Sequence, residues 1–130
     1  MKYAKKSLGQ NFLIDKNIIN KIVNLKNIKN KHVIEIGPGK GSLTKEILNK
    51  NPKSLILIEK DFELYKNLKN QYKNNKIVKT FCDDILKFDF SSFKNKNLIV
   101  FGNLPYNISS QILIKFIRFK NLRVKINDLI

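Results

Sequence analysis

Val33-Ile34-Glu35-Ile36-Gly37-Pro38-Gly39-Lys40-Gly41 is the stretch that decides the fold. A short apolar run ends at a glycine turn, as a buried strand does, and Leu43, Ile47 and Leu48 then signal a helix that Pro52 closes. Upstream, Asp15 can cap a helix whose Ile18, Ile19, Ile22, Val23 and Leu25 fall at helical spacing. Downstream, the apolar run Leu55 to Ile58 ends at Glu59. Asp61 can then cap a helix with Phe62, Tyr65, Leu68 and Tyr72 along one face, expected to pack into the core. Ile77 to Phe81 reads as a third strand and Leu98 to Phe101 as a fourth. Ser109 or Ser110 starts a helix carrying Ile112, Leu113, Phe116 and Ile117. Strands alternate with helices, and most strand candidates are apolar throughout. That pattern predicts a doubly wound α/β domain whose parallel sheet is covered on both faces.

In such folds ligands sit at the carboxyl ends of the strands, where Gly37, Glu59, Asp84 and Asn103 all fall. Glycine lets the backbone take positive φ and approach a ligand closely. The spacing G-x-G-x-G differs from the G-x-G-x-x-G of a dinucleotide fingerprint, which disfavours an NAD-binding module. Glu59 can accept from ribose hydroxyls and Asp84 from an adenine amino group. Acids around a nucleoside without phosphates suit a cationic ligand such as S-adenosyl-L-methionine. Asn103-Leu104-Pro105-Tyr106 adds a side-chain amide, a backbone carbonyl, a rigid proline and an aromatic ring at the mouth of the fourth strand. Those groups suit a flat substrate with an exocyclic amine, such as adenine.

The 130 residues allow one domain, and the formal charge of +16 favours a polyanionic partner. A/T-rich coding drift is a rival source of that charge, because lysine outnumbers arginine and Asn, Ile and Phe abound. Cys82 stands alone, so neither a disulfide nor a thiolate metal site is expected, and a cytoplasmic location fits. His32, beside a strand start, reads as a surface histidine and not a ligand. No run of about 18 apolar residues and no signal-peptide pattern is present, so no membrane partner is expected.

Three segments together resemble a known family. Lys6-Ser7-Leu8-Gly9-Gln10-Asn11-Phe12-Leu13, then Glu35 to Thr44, then Asn103-Leu104-Pro105-Tyr106-Asn107-Ile108-Ser109-Ser110 are similar to the rRNA adenine N6-dimethyltransferases. The resemblance runs from about Lys5 to the last residue. It points to the branch that dimethylates two adjacent adenosines in a small-subunit rRNA hairpin. The sister branch acts on large-subunit rRNA; it usually lacks the Leu-Gly pair and tends to Ile at the position of Leu104.

The resemblance implies a Rossmann-like fold that uses S-adenosyl-L-methionine, with a monomer acting on small-subunit rRNA or a pre-30S particle. It assigns Asn11 and Leu13 to closure over the cofactor, Gly37 to its amino acid portion, Glu59 to the ribose and Asp84 to the adenine. Asn103 would border both cofactor and target base. Asn103, Leu104, Pro105 and Tyr106 would form the catalytic motif, with no metal and no need of Cys82.

The resemblance also divides the chain into a basic arm over residues 1–14 and a methyltransferase domain over 15–130. Family members continue beyond the fifth strand that Lys125 to Ile130 begins. The expectation is therefore an incomplete domain with the flank of its fourth strand exposed, weak cofactor binding and little turnover. The alternatives are a non-catalytic RNA- or DNA-binding relative and a large-subunit rRNA adenine N6-methyltransferase.

Overall fold

A computed structural model describes residues 16–91, 97–102 and 123–129. Its elements run α1 (Lys16–Asn24), β1 (His32–Ile36), α2 (Ser42–Asn49), β2 (Ser54–Glu59), α3 (Phe62–Gln71), β3 (Val78–Cys82), β4 (Asn97–Gly102) and β5 (Arg123–Leu129). The five strands form one sheet in the order β3-β2-β1-β4-β5, and every pairing is parallel. The chain leaves β1 toward β2 on one side, and β4 returns to the other side of β1. The crevice between β1 and β4 is therefore the point where the strand order reverses.

Strands buried on both faces favour apolar side chains at nearly every position, which explains the apolar runs; Glu35 inside β1 is a buried exception. Val33 faces one core cluster with Ile19, Val23, Leu43, Ile47 and Leu68 from the three helices. Ile34 and Ile36 face a second cluster, built with Ile56, Ile58, Phe88, Phe90, Leu98 and Val100. Each fully buried Leu, Ile or Phe contributes about 1.5–3 kcal/mol. β3 lies at the sheet margin, with Val78 and Thr80 half-buried and Lys79, Phe81 and Cys82 exposed, so its pattern is weaker than those of its neighbours.

Several expectations need correction. Leu25 is 61% exposed because the helix ends one residue earlier, at Asn24. Phe62 is 60% exposed, whereas Leu68 on the same helix is buried. At 100° per residue Phe62 lies about 120° around the helix from Leu68, off the stripe that meets the sheet. Its ring packs against Tyr65, with centroids 6.0 Å apart, and Lys66 Nζ lies 5.4 Å from its centroid. His32 is half-buried, with Nδ1 2.6 Å from Ser54 Oγ. The flank of β4 is paired with β5 from Asn97↔Arg123 to Gly102↔Leu129, with a register irregularity between Val100 and Gly102. The arm over residues 1–14 and the helix expected after Ser109 or Ser110 lie outside the described residues.

The turn after β1 is built around glycine. Gly37, Gly39 and Gly41 have φ of 66°, 60° and 89°. Gly41 is the N-cap of α2 and makes no side-chain cap. A Cβ added there would stand 3.3 Å from Leu68 Cδ2 of α3, so the third glycine permits contact between two helices. For Gly41→Ala, the left-handed backbone alone costs about 1–2 kcal/mol. The variant is expected to unfold at a lower urea concentration than the parent, and an unchanged midpoint would contradict this account of the turn.

Candidate functional site

Backbone hydrogen bonds hold the carboxyl ends of the first three strands together. Gly37 N–H donates to Ile58 O at 2.9 Å, and Asp83 N–H donates to Glu59 O at 3.2 Å. Glu59 occupies the end of β2 and is buried. Its Oε1 accepts from Gly39 N–H at 2.9 Å, and its Oε2 accepts from Asp61 N–H at 2.9 Å. A single carboxylate thus ties the glycine turn to the start of α3. Asp61, as expected, caps that helix by accepting from Glu63 N–H and Leu64 N–H at 3.0 and 3.1 Å.

Asp83 and Asp84 form a turn. Asp83 Oδ1 accepts from Asp84 N–H at 2.8 Å, and Asp84 Oδ1 accepts from Leu86 N–H at 3.0 Å. This is an Asx-type arrangement, which sets the half-buried Asp84 beside the end of β3. Of the residues singled out in the sequence, Gly37, Glu59 and Asp84 therefore sit on one edge, at three neighbouring strand ends. Asn11, Leu13, Asn103, Leu104, Pro105 and Tyr106 lie outside the described residues.

One buried acid went unnoticed in the sequence. Glu35 lies one residue before the end of β1, is 1% exposed, and accepts from Thr44 Oγ1 at 2.5 Å through Oε1. Its Oε2 is buried without a hydrogen-bond partner. Burial, with the nearby Glu59 charge adding to it against the Thr44 hydrogen bond, pushes its carboxyl up to about 8. Glu35 is therefore held as a neutral acid at pH 7, bridging β1 and α2 across the glycine turn. The signal for it was the lone carboxylate inside the apolar run Val33 to Ile36.

The hydrogen bonding decides what ligand chemistry this edge fits. All three glycine N–H groups donate within the chain: Gly37 to Ile58 O, Gly39 to Glu59 and Gly41 to Pro38 O. None of them remains for a pyrophosphate, and Glu59, Asp83 and Asp84 would repel one. The donor set fits a cationic nucleoside without phosphates, because each carboxylate oxygen in use can still accept a second hydrogen bond. Among the described residues no group of three His, Cys, Asp or Glu could hold a metal ion, and no helix is long and apolar enough to cross a membrane. Cys82 is exposed, with Sγ 3.9 Å from Lys60 O.

The parallel sheet, its strand order and the acids at the carboxyl ends of β2 and β3 accord with a Rossmann-like methyltransferase fold. A solved RNA methyltransferase from Salinibacter ruber, described in complex with S-adenosyl-L-homocysteine, has this fold with a TM-score of 0.66. It is 14% identical, over 85% of this chain and 70% of that one. The family described as ribosomal RNA adenine dimethylase matches residues 1–127, and the chain belongs to it. A curated relative from Pelagibacter ubique (strain HTCC1062), described as ribosomal RNA small subunit methyltransferase A, is 54% identical over 114 residues. That match covers 88% of this chain and 43% of the relative, so the chain spans under half the relative's length. The crystal structure of a dimethyladenosine transferase from Plasmodium falciparum is 30% identical with a TM-score of 0.69, covering 83% of this chain and 38% of that one.

Glu35 makes stability depend on pH. The folded state keeps its proton up to about pH 8, whereas the group's ordinary value is 4.5. Folding takes up a proton between these values, so this contribution is full below pH 4.5 and is lost as pH rises through 8. The slope is at most about 1.4 kcal/mol per pH unit. Glu35→Gln keeps the shape and the acceptor for Thr44 but cannot ionise. Its stability relative to the parent should rise steadily between pH 5 and pH 8 in urea denaturation; a pH-independent difference would contradict the buried neutral acid.

Proposed function

We propose that the chain carries the cofactor half of an S-adenosyl-L-methionine-dependent N6,N6-dimethylation of two adjacent adenosines in a small-subunit rRNA hairpin. The observation that carries this reading is the strand edge where Glu59 and Asp84 stand beside a glycine turn whose N–H groups are already bonded. Membership of the family supports the reaction class. Leu8-Gly9 before Gln10 and Leu104 in the last motif support the small-subunit branch.

S-adenosyl-L-methionine supplies an electrophilic methyl group on a sulfonium. Glu59 accepts from the ribose hydroxyls, Asp84 from the cofactor adenine, and Gly37 lies against the amino acid portion. Asn11 and Leu13, in the arm over residues 1–14, close over the cofactor. The protein needs no nucleophile of its own. The N6 lone pair of the target adenine is delocalised into the ring, so the amine attacks poorly. The Asn103 side-chain oxygen and the Leu104 carbonyl accept from that amine, which favours a more tetrahedral nitrogen and stabilises its growing positive charge. Pro105 stiffens the motif, and Tyr106 stacks on the extruded base for about 1–3 kcal/mol. The partner is small-subunit rRNA or a pre-30S particle, engaged by a monomer in the cytoplasm.

The test incubates the chain with tritiated S-adenosyl-L-methionine and a small-subunit rRNA hairpin bearing two adjacent adenosines, and reads where label appears. The expected result is cofactor binding that NAD and ATP do not displace and that Glu59→Ala weakens at least tenfold. Turnover by these 130 residues should be low; whatever label reaches the RNA should be recovered as N6-methylated adenosine and should vanish in Asn103→Ala. Absence of cofactor binding, or label in another nucleoside, would contradict the proposal.

A further inference from the structure

The sheet's other edge carries an opposite charge. Residues 24–32, 49–55 and 72–80 lead into β1, β2 and β3; they hold eight lysines and no Asp or Glu. The carboxyl edge, over residues 36–41, 59–61 and 82–87, holds three lysines against four carboxylates. A coding bias toward lysine would raise the count everywhere and would not sort it by edge.

The basic edge is also ordered. Asn30 and Asn51 both take left-handed φ, at 60° and 56°, a conformation that Asn tolerates better than most residues. Asn30 N–H donates to Asn51 O at 3.0 Å, and Lys53 N–H donates to Lys31 O at 2.8 Å. These bonds lash the loop bearing Lys29 and Lys31 to the loop bearing Lys50 and Lys53, and all four lysines are exposed. One shallow hollow is lined by Lys29 and Lys50 with the amides of Asn27, Asn49 and Asn51. A second has Lys53, Lys76 and Lys79 with His32 and Ser54 around an apolar floor that includes Ile56, Ile77 and Phe81, so there only the rim is basic. Lysines interleaved with neutral hydrogen-bond donors on a concave, fixed surface suit phosphate oxygens.

We infer that the amino edge of the sheet, centred on Lys29, Lys31, Lys53 and Lys76, is a second docking surface for the phosphate backbone of structured RNA. It lies about 17 Å, the length of a five-residue strand, from the edge where the cofactor is proposed to bind. The inference rests on the RNA partner of the proposed function, and it divides the labour between edges. The acidic edge takes a cationic methyl donor and would repel phosphates. The basic edge would hold the polyanion about one strand length away, so the RNA helix, and not a single base, would have to span the sheet.

The test compares two variants of equal charge by fluorescence anisotropy with a labelled hairpin RNA between 50 and 200 mM salt. One carries Lys29→Gln, Lys31→Gln, Lys53→Gln and Lys76→Gln. The other carries Lys21→Gln, Lys45→Gln, Lys66→Gln and Lys69→Gln, on the helices. Thermal melting and cofactor titration are followed on the same samples. The edge variant should bind RNA at least tenfold more weakly, with a log–log salt slope shallower by about 3, while the helix variant changes less than threefold. Equal losses in both variants, or no loss in the edge variant, would overturn the inference. So would binding to anionic phospholipid vesicles in place of RNA. Edge-dependent RNA binding by a chain that binds no cofactor would support this surface and sink the methyl-transfer reading.

Discussion

Glu59 holds the functional edge in shape. Its two oxygens take the N–H of Gly39 and the N–H of Asp61, which lie on different loops. The first bond fixes the glycine turn after β1, and the second fixes the chain as it enters α3 through its Asp61 cap. Hydrogen bonds to an ionised acceptor are about twice as strong as neutral ones, and a buried carboxylate without them is costly to maintain. Loss of this side chain would leave one buried and one half-buried donor to find partners and would free the turn that Gly41 packs against Leu68.

A second buried acid, Glu35, works by a different balance. It sits close enough to Glu59 for the two charges to interact, has one partner in Thr44, and stays neutral near pH 7. Glu59 has a backbone N–H on each oxygen, whereas Glu35 has Thr44 on one oxygen only and keeps its proton. The site can therefore present negative charge to a cationic ligand without two buried carboxylates repelling each other.

The fold was readable because the described central strands are covered on both faces, so their runs are almost wholly apolar and mark themselves, with Glu35 the one buried carboxylate inside β1. The helices were readable from spacing, but exposure within them was not. Leu25 and Phe62 carry apolar side chains just outside the faces that meet the sheet, and composition cannot report a 100° rotation. The pairing of β5 over β4 was missed because register between non-neighbouring segments has no local signal. Glu59 and Asp84 were legible as carboxylates at strand ends. Glu35 was not legible, because a carboxylate inside an apolar run reports neither its burial nor the Thr44 hydroxyl that meets it. The lysines were visible only as a net charge until the topology brought three separate loops to one edge. The motif from Asn103 to Tyr106 lies outside the described residues and rests on its sequence.

The proposed function turns on the acidic carboxyl edge taking a phosphate-free, cationic nucleoside while the glycine turn keeps its internal bonds. Titration of the isotopically labelled chain with S-adenosyl-L-methionine, followed by amide NMR, tests it most directly. Progressive shifts are expected at Gly37, Gly39, Lys60, Asp61, Asp83 and Asp84, with Lys31, Lys53 and Lys76 unmoved. No shifts at the carboxyl edge, or shifts at the amino edge alone, would contradict it.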